Sequence, residues 1–166
     1  LKKAGIQRIQ VGSFVHPKIV PQMADTDEFI KAIGKQDDVV VSALILNDKG
    51  LTRACDCNVP HVSMSVSVSD SHSRKNAKKP ASESLEMMTH LIKQALSSGI
   101  DVRAGLQCAF GCIYEGKISE KAVFKSLEKI ALTGVKEINL ADSTGMATPR
   151  DIRKMVYRFK KEFPEI

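Results

Sequence analysis

One local pattern recurs along the chain and constrains its fold more than any other feature: the tail of a helix, a glycine, then a strand. It appears at Gly5-Ile-Gln-Arg-Ile-Gln-Val11, at Gly99-Ile-Asp-Val-Arg-Ala-Gly-Leu106 and at Gly134-Val-Lys-Glu-Ile-Asn-Leu140. A weaker copy, Asn58-Val-Pro-His-Val-Ser-Met-Ser-Val66, has asparagine in the glycine's place. Both residues suit the left-handed backbone that ends a helix. A further run, Val39-Val-Val-Ser-Ala-Leu-Ile-Leu46, is almost wholly apolar, as a parallel strand covered on both faces should be. Strands are therefore expected near 6–11, 39–46, 61–66, 101–107 and 136–141.

Helical spacing fills the gaps. Asp27 to Lys35 carries Phe29, Ile30 and Ile33 on one side, with Asp25 or Thr26 as cap. A shorter helix covers Asp48 to Cys55. Ser82 to Ser98 places Leu85, Met88, Ile92, Ala95 and Leu96 inward, and Ser119 caps a helix with Val123, Leu127, Ile130 and Ala131 inward. Thr148-Pro149 is a helix start, a hydroxyl cap before a proline, with Ile152, Met155, Val156 and Phe159 inward. These stripes read as core. Strand and helix alternate five times over short connections, which means an α/β fold with a parallel sheet and right-handed crossovers. A complete (β/α)8 TIM barrel takes roughly 250 residues, so the chain is expected to be a partial barrel of five units. Residues 1–166 read as one catalytic-type domain, with the first and last strands of the barrel outside the chain.

The composition, 43% hydrophobic and 27% charged, is that of an ordinary globular protein. A net charge of +6 favours anionic ligands only weakly. No basic stretch is interleaved with aromatics, so nucleic acid is not an expected partner. No apolar run has the length of a membrane span, and Leu1-Lys-Lys-Ala-Gly-Ile6 is not a signal peptide, so a cytoplasmic place is expected. The spacings of Cys55, Cys57, Cys108 and Cys112 are not those of a zinc ribbon. Reduced thiols are expected, Cys108 facing the interior and Cys112 at the rim.

Polar residues collect just after the strands: Gln10, Gly12 and Ser13; Asn47 and Asp48; Ser67, Ser69, Asp70 and His72; Gln107 and Cys108; Asp142. In a parallel barrel such ends converge on one mouth. Asp142 has two readings, a carboxylate aimed into a ligand site or one that ties down its own turn. The stretch Asp70 to Pro80 reads as a long basic loop. Its Arg74, Lys75, Lys78 and Lys79 suit phosphate groups or simply solvate it. His16 reads as a loop residue, and His61 and His90 as structural.

Three stretches, in order, resemble the hydroxymethylglutaryl-CoA lyase family. They are Ser13-Phe-Val-His-Pro-Lys18 continuing to Val20-Pro-Gln-Met-Ala-Asp25, then Cys108-Ala-Phe-Gly-Cys-Ile-Tyr-Glu-Gly-Lys-Ile-Ser119, then Leu140-Ala-Asp-Ser-Thr-Gly-Met-Ala-Thr-Pro149. The resemblance implies a barrel that splits 3-hydroxy-3-methylglutaryl-CoA into acetyl-CoA and acetoacetate, with Mg²⁺ or Mn²⁺ orienting the substrate. It implies an active-site role for Asp142 and places Ser13 and Asn76 near the acyl-CoA, with Cys108 on the inside of its strand. Arg74 and Lys75 complete the expected substrate contacts, and a homodimer is possible. Gln10 stands where the family usually has a glutamate, so an ionisable carboxylate is missing from the candidate catalytic set. The family's arginine-aspartate pair and histidine-x-histidine metal ligands fall before and after this chain, so none of its residues is expected to hold the metal. Two other readings stay open: a Claisen-type condensing enzyme related to isopropylmalate or homocitrate synthases, and a non-catalytic barrel fragment that binds an acyl-CoA or another chain.

Overall fold

The computed structural model describes residues 1–166. The residues that end its helices take the expected backbone. Gly99 and Gly134 have φ of 75° and 87°, and Asn58 takes the same left-handed conformation at 53°. Five strands follow from these turns: β1 (Arg8–Ser13), β2 (Val40–Leu44), β3 (His61–Ser67), β4 (Asp101–Gln107) and β5 (Glu137–Leu140). They form one sheet in the order β1-β2-β3-β4-β5. The pairings of β1 with β2, β2 with β3 and β4 with β5 are parallel. β1 starts at Arg8 rather than Ile6, where its pairing with Val40 of β2 begins.

Six helices alternate with the strands: α1 (Thr26–Ile33), α2 (Asp48–Asp56), α3 (Asp70–Ala77), α4 (Ala81–Ser97), α5 (Glu120–Ala131) and α6 (Pro149–Glu162). Ser119 and Thr148 cap α5 and α6 as expected, and Asp151 completes a capping box with Thr148. The stretch read as a long basic loop is instead mostly α3. Ser69 caps it, its Oγ accepting the His72 N–H at 3.1 Å. Asp70 Oδ1 accepts the Ala81 N–H at 2.9 Å and so fixes where α4 starts. The eight residues of α3 carry no apolar stripe, so no hydrophobic period marks the helix in the sequence.

The chain divides into two compact units, Leu1–Met64 with Gln94–Val102, and Ser65–Lys93 with Arg103–Ile166. In the first, Val41 and Ser42 and Ala43 of β2 are all buried, as a covered parallel strand requires. Ile30 of α1 joins that core, but Phe29, expected beside it, is 49% exposed. In the second unit, Val123, Leu127 and Ile130 of α5 are fully buried. Met155 and Phe159 of α6 point inward, whereas Ile152 and Val156, expected with them, are 43% and 38% exposed. The buried stripe of this polar helix is a single i, i+4 row, and Ile152 and Val156 flank it. Phe163 continues that row against the Phe159 and Phe124 rings, at centroid distances of 5.3 and 6.4 Å.

Candidate functional site

In the first unit, chemistry collects where β1 ends. A bulge interrupts the pairing of β1 with β2 between Gln10 and Gly12, which re-aims the residues that follow. Gln10 is exposed and Ser13 is buried. The Ser13 N–H donates to Thr26 Oγ1 at 3.4 Å, and that hydroxyl in turn lies 3.1 Å from the Ser13 carbonyl and 2.9 Å from the Met23 carbonyl. The Ser13 hydroxyl itself is buried without a hydrogen-bond partner. Gly12 permits this geometry: a Cβ there would sit 2.7 Å from Thr26 Oγ1. Thr26 thus holds the backbone at Ser13, where the sequence marks it only as a helix cap. The one signal for it was the glycine before Ser13.

Phe14 is held from outside by a second missed group. The Arg53 guanidinium lies 5.0 Å from the Phe14 ring centroid and pairs with both carboxylate oxygens of Asp27. The Cys57 thiol donates to Asp27 Oδ1 at 3.5 Å. Hydrogen bonding to Arg53 holds the Asp27 carboxyl below the usual carboxylate range. Burial, then the Asp27 carboxylate, pushes the Cys57 thiol up. Asn47, after β2, accepts the Gly50 N–H at 2.9 Å and is spent on capping α2. His16 stays a loop residue, its Nδ1 accepting the Lys18 N–H at 3.2 Å.

The second unit gathers the ends of β3, β4 and β5. Asp142 Oδ1 accepts the Met146 N–H, and Oδ2 accepts the Ala147 N–H, each at 3.0 Å. The carboxylate therefore does tie down its own turn. An ionised carboxylate has about four lone-pair sites, so each oxygen keeps one free for a ligand. Beside it, Ser143 Oγ accepts the Cys108 N–H at 2.9 Å, where Cys108 holds a left-handed backbone at φ 56°. Thr144 Oγ1 donates to the Gly111 carbonyl at 3.1 Å. The turn that carries Asp142 is thus stitched to the loop that follows β4. Gln107 donates to Ser65 Oγ at 3.0 Å.

Cys108 is fully buried, in keeping with an inward position. Cys112, expected at the rim, is fully buried too. The loop folds back through two backbone hydrogen bonds between Cys112 and Gly116, at 2.8 and 2.7 Å, and Ser69 Oγ meets the Cys112 sulfur at 3.0 Å. Burial raises the Cys108 thiol pKa. At Cys112 burial acts in the same direction, but hydrogen bonds from Ser69 and from the backbone at Tyr114 and Glu115 outweigh it and hold that thiol low. All four cysteines are free thiols.

The remaining expected contacts lie on α3. Arg74 pairs with Asp70 at 2.6 Å, and the Lys75 ammonium sits 3.7 Å from the Tyr114 ring centroid. Asn76 Nδ2 rests against the His72 ring, 2.9 Å from Nε2. Glu115 Oε1 accepts the Ser71 N–H at 2.6 Å, which holds its carboxyl low and anchors the Tyr114-Glu115 loop to the start of α3. The second unit thus brings Asp142 and Cys108 to adjoining loops and places Arg74, Lys75 and Asn76 on one helix. Gln10 and Ser13 belong to the first unit. No three His, Cys, Asp or Glu side chains come together as a metal cage in either.

A sheet of five consecutive parallel β/α units, with polar side chains following its strands, defines a partial (β/α)8 barrel. The HMGL-like family model matches residues 1–166. The mitochondrial hydroxymethylglutaryl-CoA lyase of Macaca fascicularis is 37% identical over 99% of the chain and 50% of its own length. The crystal structure of the Bacillus subtilis HMG-CoA lyase superposes with a TM-score of 0.92 at 31% identity, over 98% of this chain and 55% of that one. An HMG-CoA lyase from Acinetobacter baumannii, solved with coenzyme A and 3-methylmalate, gives a TM-score of 0.87 at 31% identity, over 97% and 53%. The chain belongs to the HMGL-like family. It spans about half the length of the curated relatives it matches.

Proposed function

We propose that the chain forms part of a carbon–carbon lyase that cleaves 3-hydroxy-3-methylglutaryl-CoA to acetyl-CoA and acetoacetate. The observation that carries this reading is the placement of Asp142. It follows the last parallel strand, in a motif shared with the family, and two backbone N–H donors fix its carboxylate while leaving lone pairs free. In the reaction a base takes the proton of the tertiary hydroxyl. The electron pair of that O–H bond becomes the new carbonyl of acetoacetate, the adjacent C–C bond breaks, and its electrons leave as the enolate of acetyl-CoA, which a proton then quenches at carbon. Asp142 accepts or orients the hydroxyl proton. Asn76, Arg74 and Lys75, all on α3, meet the acyl-CoA, the two cations lending positive charge to its phosphates.

A divalent metal, when bound by a family member, supplies Lewis-acid polarisation of substrate oxygens. The donors of these residues do not fit one, since no cage of three acidic, His or Cys side chains forms. Gln10 favours a second reading, an acyl-CoA-binding segment without catalysis. A carboxamide in the family's glutamate position orients a ligand but takes no proton. Turnover of 3-hydroxy-3-methylglutaryl-CoA by the full-length parent separates the two, since the second reading expects none, and Asp142→Asn then tests the residue. The lyase reading expects kcat to fall roughly 10²–10⁴-fold with the circular dichroism spectrum retained. A folded variant with near-normal kcat would leave Asp142 with its turn alone.

A further inference from the structure

The first unit holds a cavity of about 500 Å³ that the proposed chemistry does not use. It opens between the end of α1, the start of β2 and the connection from α2 to β3. This is the end of the sheet where β2 and β3 begin, whereas Ser13 and Asn47 follow the ends where β1 and β2 finish. The floor is apolar: Ile30, Val39 and Val41, all buried, with Pro60 beside them. Two cations border it, Lys31 on α1 and Lys35 just past the turn at Gly34. Neither has a carboxylate partner, because Asp27 is taken by Arg53 and Asp38 by Lys2. Its size lies within the roughly 300–1,000 Å³ range of small-molecule sites.

We infer that this cavity is a second ligand site, and that it takes a short aliphatic carboxylate. The apolar floor removes a hydrocarbon chain from water, which favours binding in proportion to the area covered. The two unpaired ammonium groups meet the carboxylate at the border. An uncharged ligand of the same shape leaves them unused. An inorganic anion such as phosphate gains nothing from the four apolar side chains.

The test uses methyl-labelled full chain and titrates butyrate, with butyramide as the uncharged match, at low ionic strength so that screening does not hide the charge effect. Butyrate is expected to shift the methyl signals of Ile30, Val39 and Val41 saturably, with butyramide about tenfold weaker or worse. Lys31→Gln/Lys35→Gln is expected to weaken butyrate about tenfold and leave butyramide unchanged. Both lysines are exposed, so the variant should keep its fold. If the double change perturbs the spectrum globally, the single changes Lys31→Gln and Lys35→Gln, each expected to weaken butyrate about threefold, take its place. Absence of a saturable shift with butyrate overturns the site, as does equal binding of butyramide or butyrate affinity untouched by removing the lysines.

Discussion

Arg53 shows how one side chain serves a motif that does not contain it. Its guanidinium stacks on Phe14, and its two-oxygen contact with Asp27 fixes the guanidinium plane. Asp27→Asn leaves a partly buried cation without its counter-charge and is expected to destabilise the fold by about 1–3 kcal/mol in urea denaturation at neutral pH. The pH dependence follows from the lowered Asp27 pKa. The group stays ionised in the folded state at pH values where the unfolded chain begins to protonate. Its contribution is therefore complete above the ordinary carboxylate pKa, about 4, and is lost as pH falls through the lower folded value. The stability gap between the parent and Asp27→Asn should shrink on acidification below about pH 4. A gap that is constant with pH would mean that the carboxylate charge contributes nothing.

Helix ends decide where the site side chains stand. Ser69 has two tasks at once: it caps α3 through the His72 N–H and holds the Cys112 sulfur. Ser69→Ala removes both, and about 1–2 kcal/mol of stability should go with it. Amide hydrogen exchange should quicken along α3 and in the 112–116 loop together, since one hydroxyl serves both. At α6, Thr148→Ala removes one half of a capping box and is expected to cost about 1 kcal/mol. The loss at Thr148 should stay confined to the first turn of α6 in the same exchange measurement, leaving α3 protected.

At the scale of the whole molecule, the distribution of acidic and His side chains matters more than their number. The chain has 19 Asp and Glu and 4 His, yet no three such groups meet as a cation cage. Mg²⁺ takes six oxygen ligands, several of them waters, and without other acidic or His side chains gathered beside it Asp142 offers such an ion a single protein anchor. Calorimetry on the 166-residue chain is expected to show no tight stoichiometric site for Mg²⁺ or Mn²⁺. A tight one-to-one site would show that donors from these residues rearrange around the ion.

The sequence by itself determined the strand order, five of the six helices, the parallel class, the left-handed helix ends and the caps at Ser119 and Thr148. Each of these is a local matter: a hydrophobic period, a glycine or asparagine, or a hydroxyl three residues before its N–H. α3 escaped it because a polar helix on a serine cap has no period to read, and Ile152 and Val156 were misjudged because a stripe in sequence does not say how wide the buried face will be. Only the tertiary structure brought Thr26 to Ser13, Arg53 to Asp27 and Ser69 to Cys112, pairs separated by 13, 26 and 43 residues. The same holds for the cavity under Lys31 and Lys35, whose walls come from α1, β2 and the connection from α2 to β3. Partners that far apart along the chain leave no spacing rule behind, because what aligns them is the packing of whole elements and not the geometry of one turn.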